Sequence, residues 1–197
     1  MPWSLQSNLW LSRNQTGKTL MTVEQFEQLP REEAARFELD EGELVTMSGA
    51  TYAHNDVRDR TVEMLRPFVR EHGLGKVIAE QEFRLSPTTD RRPEVTFISN
   101  EKLALIRPEK RIQHLVPDLV IEIASDSDTF TGLMRKVRQY LDAGVRLVWI
   151  FNLSLVEITV FDRDGKTAVL RAQDTITADP GPPGSSCRVE QFFNPNF

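Results

Sequence analysis

The 197-residue chain has little of what a secreted, zinc-bound or membrane-spanning protein needs. Its single cysteine, Cys187, cannot form an internal disulfide, which fits a reducing cytoplasm. No cysteine or histidine neighbours it at zinc spacing, which argues against a structural zinc site. No apolar run approaches the roughly 18 residues of a membrane span. The first 20 residues lack the uninterrupted apolar stretch of a signal peptide. There is no Walker or dinucleotide-binding glycine motif. Ser125 and Ser127 have no Gly-x-Ser-x-Gly context that would suggest a hydrolase triad. Positive charge is also in deficit: the net charge of −5 argues against a protein that coats nucleic acid without discrimination.

That charge is unevenly spread. Glu24, Glu27, Glu32, Glu33, Glu38, Asp40, Glu41 and Glu43 crowd one early segment. Arg84, Arg91, Arg92, Lys102, Arg107, Lys110 and Arg111 cluster further on, and Arg135, Lys136, Arg138 and Arg146 form a second basic group. Either basic cluster reads as a solvated surface or as an anion-facing one.

Residues 1–20 read as a loosely ordered leader, with Met21 as a candidate initiator, and residues 21–197 as one domain with a full-sized core. Thr22 and Gln25 form a capping-box start for a helix over about 23–29. Residues 37–47 read as a hairpin turning at Asp40-Glu41-Gly42. A long amphipathic helix follows to about His72, with Val57, Thr61, Met64, Leu65 and Phe68 on its buried face and a kink or break expected at Pro67. Strands are predicted over 76–85, 93–98, 118–124, 147–152, 156–162 and 167–171, with residues 86–90 as a turn. Helices are predicted near 101–105 and over 129–143, the latter stopped by Gly144. The order of elements predicts a mixed central β-sheet flanked by helices, in an α/β or α+β domain.

The most informative residue is Glu122. Leu119-Val120-Ile121-Glu122-Ile123-Ala124 is a short, β-branched, apolar run, and a carboxylate inside it loses its hydration at a cost of several kcal/mol unless it is partnered. Strand alternation puts Asp118, Val120, Glu122 and Ala124 on one face and Leu119, Ile121 and Ile123 on the other. A structural pairing with an arginine is the bland reading for Glu122; a metal ligand is the sharp one. Glu94, after Arg92-Pro93, is a second carboxylate at the start of an apolar strand. Lys136 falls at the edge of the buried stripe of Leu133, Val137, Tyr140 and Leu141. From there it either snorkels outward or reaches a charge beneath the helix. Two strand-borne carboxylates plus a lysine are the equipment of a metal-dependent phosphodiesterase. Asp118 reads as structural, Glu38 and Glu43 as surface glutamates when taken alone, and His54 by default as a capping or packing residue, with general base as the lesser reading.

In order, Phe37-Glu38-Leu39-x-x-Gly42-Glu43-Leu44, Arg92-Pro93-Glu94-Val95, Pro117-Asp118-Leu119-Val120-Ile121-Glu122-Ile123, Lys136-x-x-x-Tyr140-x-x-x-Gly144-Val145 and Val148-Trp149 resemble the Uma-two family. These are bacterial restriction-endonuclease candidates of the PD-(D/E)XK nuclease superfamily. The resemblance implies a restriction-endonuclease-like core and a Mg²⁺ site, with Mn²⁺ as a possible substitute. Its ligands would be Glu94, Glu122 and the Ile123 carbonyl. It implies that Lys136 supplies the amine that the superfamily usually places two residues after the second acid, where this chain has Ala124. It implies that Glu38 helps to orient the metal or its water. DNA is the implied substrate and a homodimer the implied assembly. The chain departs from the family at Glu94, where aspartate is usual. One extra methylene shifts the carboxylate by about a bond length, which octahedral Mg²⁺ tolerates poorly. Three readings therefore stand: a DNA endonuclease, a catalytically impaired interaction module of the same fold, and an RNase.

Overall fold

The computed structural model describes residues 12–13, 19–47, 49–125 and 127–193. The leader expected over residues 1–20 lies outside them, apart from β1 (Ser12–Arg13) and β2 (Thr19–Leu20), which pair antiparallel. Helix α1 (Val23–Glu27) carries the expected capping box: Thr22 accepts from the Gln25 amide while Gln25 accepts from the Thr22 amide. A short α2 (Arg31–Ala34) leads into the hairpin of β3 (Phe37–Asp40) and β4 (Glu43–Thr46). Asp40 faces Glu43, so the loop is the two residues Glu41 and Gly42, with φ of 50° and 88°. Two successive positive φ values are what a tight, right-twisted hairpin requires, and they explain the glycine.

Helix α3 (Tyr52–Glu71) starts at Thr51, whose hydroxyl accepts from the His54 amide. It continues through Pro67 without the break that proline could impose. Proline forfeits one helical hydrogen bond, at about 3 kcal/mol. Burying Val57, Val62, Leu65 and Val69 at roughly 1.5–3 kcal/mol each more than offsets that loss.

The expected strand over 76–85 is two strands in different sheets, β5 (Gly75–Ala79) and β6 (Glu82–Ser86). They are divided at Glu80, whose φ of 51° turns the chain. The segment 86–90, read as a turn, already contains the start of β7 (Thr89–Arg91), which pairs back on β6. Next come β8 (Val95–Ser99), α4 (Asn100–Leu103), β9 (Ile112–Gln113), β10 (Leu119–Ala124) and α5 (Phe130–Ala143). The chain continues through β11 (Leu147–Asn152), β12 (Glu157–Asp162), β13 (Thr167–Arg171), β14 (Thr175–Thr177) and β15 (Ser186–Arg188) to a 3₁₀ turn at Val189–Phe192.

The larger sheet runs β13-β12-β11-β10-β8-β5; β10 and β11 are parallel and its other pairs antiparallel. Helix α5 makes the crossover that a parallel pair demands. The second sheet runs β4-β3-β7-β6-β9. The alternation read for β10 holds. Leu119, Ile121 and Ile123 pack with α3, Trp149, Phe151 and Phe192, while Val120 packs with Val137 and Tyr140 of α5. Glu122 therefore belongs to the α5 layer, at the end of β10 nearest the second sheet's β3 and β7.

Candidate active site

Glu122 is 5% exposed, and its carboxylate has a donor on α5: the Tyr140 hydroxyl donates to Oε1 at 2.5 Å. Lys136, one helical turn before Tyr140, brings its Nζ to 3.8 Å from the same oxygen. The bland pairing of Glu122 with an arginine is thus replaced by a tyrosine and a lysine. Burial raises the Glu122 pKa from its ordinary value despite the attraction of Lys136.

Lys136 sits closer to Glu38, at 3.2 Å from Oε2. Glu38 is buried, not surface decoration, because β3 runs beneath α5. Its Oε2 also receives Arg91 Nη1 at 2.9 Å, and its Oε1 receives the Arg92 amide at 2.9 Å. Burial opposes ionisation of Glu38, but Lys136, Arg91 and that amide outweigh it and hold the carboxyl below its ordinary value. Burial opposes charge on Lys136 too, and Glu122 and Glu38 reverse the balance, so its amine stays cationic. Arg91 is itself fixed by Asp40 at 2.8 Å and by the Gln139 amide oxygen.

Glu94 approaches from the other side, just before β8. Register explains the opening there: β10 pairs with β8 only from Leu119 to Ile121, so the end of β10 projects past its neighbour. The Ile123 carbonyl in that overhang accepts from His54 Nε2 at 3.2 Å, and the same nitrogen lies 3.4 Å from Glu94 Oε1. Glu94 Oε2 is buried without a hydrogen-bond partner. Burial, the Glu122 charge and Glu80 push the Glu94 carboxyl up to about 8.

These observations bear on whether the residues suit a divalent cation. A buried carboxylate oxygen without a donor, beside a second carboxylate that raises its pKa, is a place where positive charge is wanted. Two carboxylates and a backbone carbonyl form an all-oxygen set, which suits Mg²⁺ or Mn²⁺ and not a thiophilic metal. Among the described residues, no group of three or more His, Cys, Asp or Glu side chains has metal-holding geometry. The set offered here contains only two such side chains.

Asp118 is structural, as read: it accepts from the Ser99 amide and pairs with Lys102 at 2.8 Å. Read from sequence, His54 takes a capping or packing role by default, and Arg91 and Tyr140 have no role in the site. The structure sets His54 against the Ile123 carbonyl and Glu94, Arg91 on Glu38 and Tyr140 on Glu122. Tyr140 had a usable signal, since it follows Lys136 at i+4 on the α5 face above Glu122. Arg91 had none, because its contact with Glu38 spans 53 residues and two strands of the second sheet.

The fold is that of a restriction-endonuclease-like protein. The profile of the Uma2 family, described as "Putative restriction endonuclease", matches residues 23–190, and the chain belongs to that family. The architecture is shared with the crystal structure of a "putative nuclease belonging to DUF820" from Anabaena variabilis. That match has a TM-score of 0.78 at 17% identity and covers 88% of this chain and 97% of the other. No curated protein matches the chain.

Proposed function

We propose that this protein is a metal-dependent DNA endonuclease that hydrolyses phosphodiester bonds at the site formed by Glu94, Glu122 and Lys136, with Glu38 supporting them. The observation that carries this reading is the convergence of the buried Glu122, the partly buried Glu94 and a cationic lysine on the overhanging end of β10, with one Glu94 oxygen left without a donor. Bound by Glu94, Glu122 and the Ile123 carbonyl, Mg²⁺ or Mn²⁺ would supply Lewis-acid polarisation and a water of lowered pKa. Lys136 holds a positive charge where a phosphorane would gain negative charge. Glu38 positions that amine: both of its oxygens are taken by cations and an amide, so its role is to hold Lys136 and Arg91. Tyr140 orients Glu122, and His54 orients the Ile123 carbonyl and Glu94.

Cutting both strands is natural for a two-fold pair of chains, and a homodimer is part of the proposal. The test is metal titration by calorimetry: Mn²⁺ should bind the wild type and be lost in Glu122→Gln. The second reading, an impaired nuclease fold serving as an interaction module, is favoured by Glu94 itself. Its longer side chain replaces aspartate and its carboxyl favours the protonated form at neutral pH. That reading predicts no metal binding by either protein.

A further inference from the structure

Away from this site, a cleft of about 780 Å³ lies between the C-terminal half of α3, the edge strand β5 and the loop over 106–113. Its charged lining consists of Arg66, Arg70, Lys76 and Lys110, and neither aspartate nor glutamate lines it. In a chain with a net charge of −5, that is a segregation of positive charge. Lys110 is shared with Glu27 at 3.2 Å, and Arg66 reaches the Val77 carbonyl at 3.4 Å. Arg70 and Lys76 have no ion pair among the described residues. One wall is held in shape by Gln113, whose amide nitrogen donates to the carbonyls of Arg107 and Lys110, each at 2.8 Å, and whose oxygen accepts from the Arg107 amide.

One wall of the cleft, β5, pairs with the strand that follows Glu94. β5 is antiparallel to β8, with Lys76 opposite Ile98 and Ala79 opposite Val95, the residue after Glu94. Three strand residues, about 10 Å, separate those two positions. Arg66 and Arg70 lie one turn apart, about 6 Å along α3. One strand of a duplex carries a charge every ~3.4 Å of axis, so Arg66 and Arg70 are spaced about two phosphates apart and Lys76 lies about three phosphates along from the strand position beside Glu94.

We propose that this cleft is a phosphate-tracking groove, in which Arg66, Arg70 and Lys76 hold the backbone of the DNA being delivered to the site. The proposal rests on the nuclease reading for its ligand and adds where the ligand lies. Backbone contacts of this kind set register and affinity without reading sequence.

The test is fluorescence anisotropy of a labelled DNA duplex of about 20 base pairs, measured in Ca²⁺ over a range of salt concentrations. The variant combining Arg66→Ala, Arg70→Ala and Lys76→Ala should bind roughly tenfold or more weakly. Its log K against log salt should be shallower by about 2–3, near 0.9 for each lost phosphate contact. Lys76→Glu, a single exposed change, should weaken binding in the same direction. If the wild type binds and the triple variant matches it in affinity and slope, the groove is overturned while the nuclease reading stands. If the groove variants lose binding yet wild type never cuts DNA, the groove stands and the nuclease reading fails. If wild type binds no DNA, both are overturned.

Discussion

The Nζ of Lys136 lies 3.2 Å from Oε2 of Glu38 and 3.8 Å from Oε1 of Glu122, so one amine is suspended between carboxylates from two different sheets. Helix α5 thereby clamps β3 to β10, and the charge that the proposed hydrolysis would use also joins the two sheets. Removing either carboxylate should move the lysine toward the other. Glu38→Gln should therefore lower kcat more than it raises KM, and a structural role alone would not produce that split. Steady-state cleavage kinetics would check it.

The buried Arg91–Glu38 pair should dominate local stability. Truncation as Arg91→Ala leaves a buried carboxylate with one cation fewer and should cost about 3–5 kcal/mol. Chemical denaturation reads this directly. A loss below about 1 kcal/mol would match a solvent-exposed pair instead and contradict the burial argument.

Asp90 makes a pH prediction. It is fully buried, both of its oxygens are without partners, and burial together with Glu82 pushes its pKa up to about 8 from 3.8. The unfolded chain loses this proton near its ordinary value, whereas the folded chain keeps it until about pH 8. Through that window the folded state binds more protons, so the contribution of Asp90 to stability falls as pH rises. Asp90→Asn should remove the slope and stabilise the protein at pH 8, by at most roughly 5 kcal/mol. Denaturation midpoints of both proteins at pH 5 and pH 8 test the sign.

His54 should act through the ligand set and not through the fold. His54→Leu removes the donor to the Ile123 carbonyl and the ring nitrogen that lies 3.4 Å from Glu94 Oε1. The Mn²⁺ concentration for half-saturation in calorimetry should rise roughly tenfold or more, the usual size of an outer-shell effect. Unchanged metal affinity would assign His54 to packing.

How much of this was legible depended on how local the cause was. Glu122 was legible because a carboxylate in a β-branched run is a local contradiction. Its face followed from strand alternation, and the α5 boundaries followed from Thr129 and Gly144 at its ends. The division at Glu80 was not legible, since Ala79-Glu80-Gln81 contains no glycine or proline to mark a turn. The continuity of α3 through Pro67 was hidden for the opposite reason: a local breaker is present and core packing overrides it. Taken alone, Glu38 looked like surface decoration because the residues that pair with it, Arg91 and Lys136, come from a distant strand and helix.

The most direct test of the central claim is nicking of supercoiled plasmid in Mg²⁺ and in Mn²⁺ by wild type, Glu122→Ala and Lys136→Ala. The account predicts wild-type cleavage, faster in Mn²⁺ than in Mg²⁺ because of the longer Glu94, with a loss of about 100-fold or more in both variants. Wild-type protein that leaves the plasmid intact in both metals, with Glu94→Asp equally inactive, would contradict it.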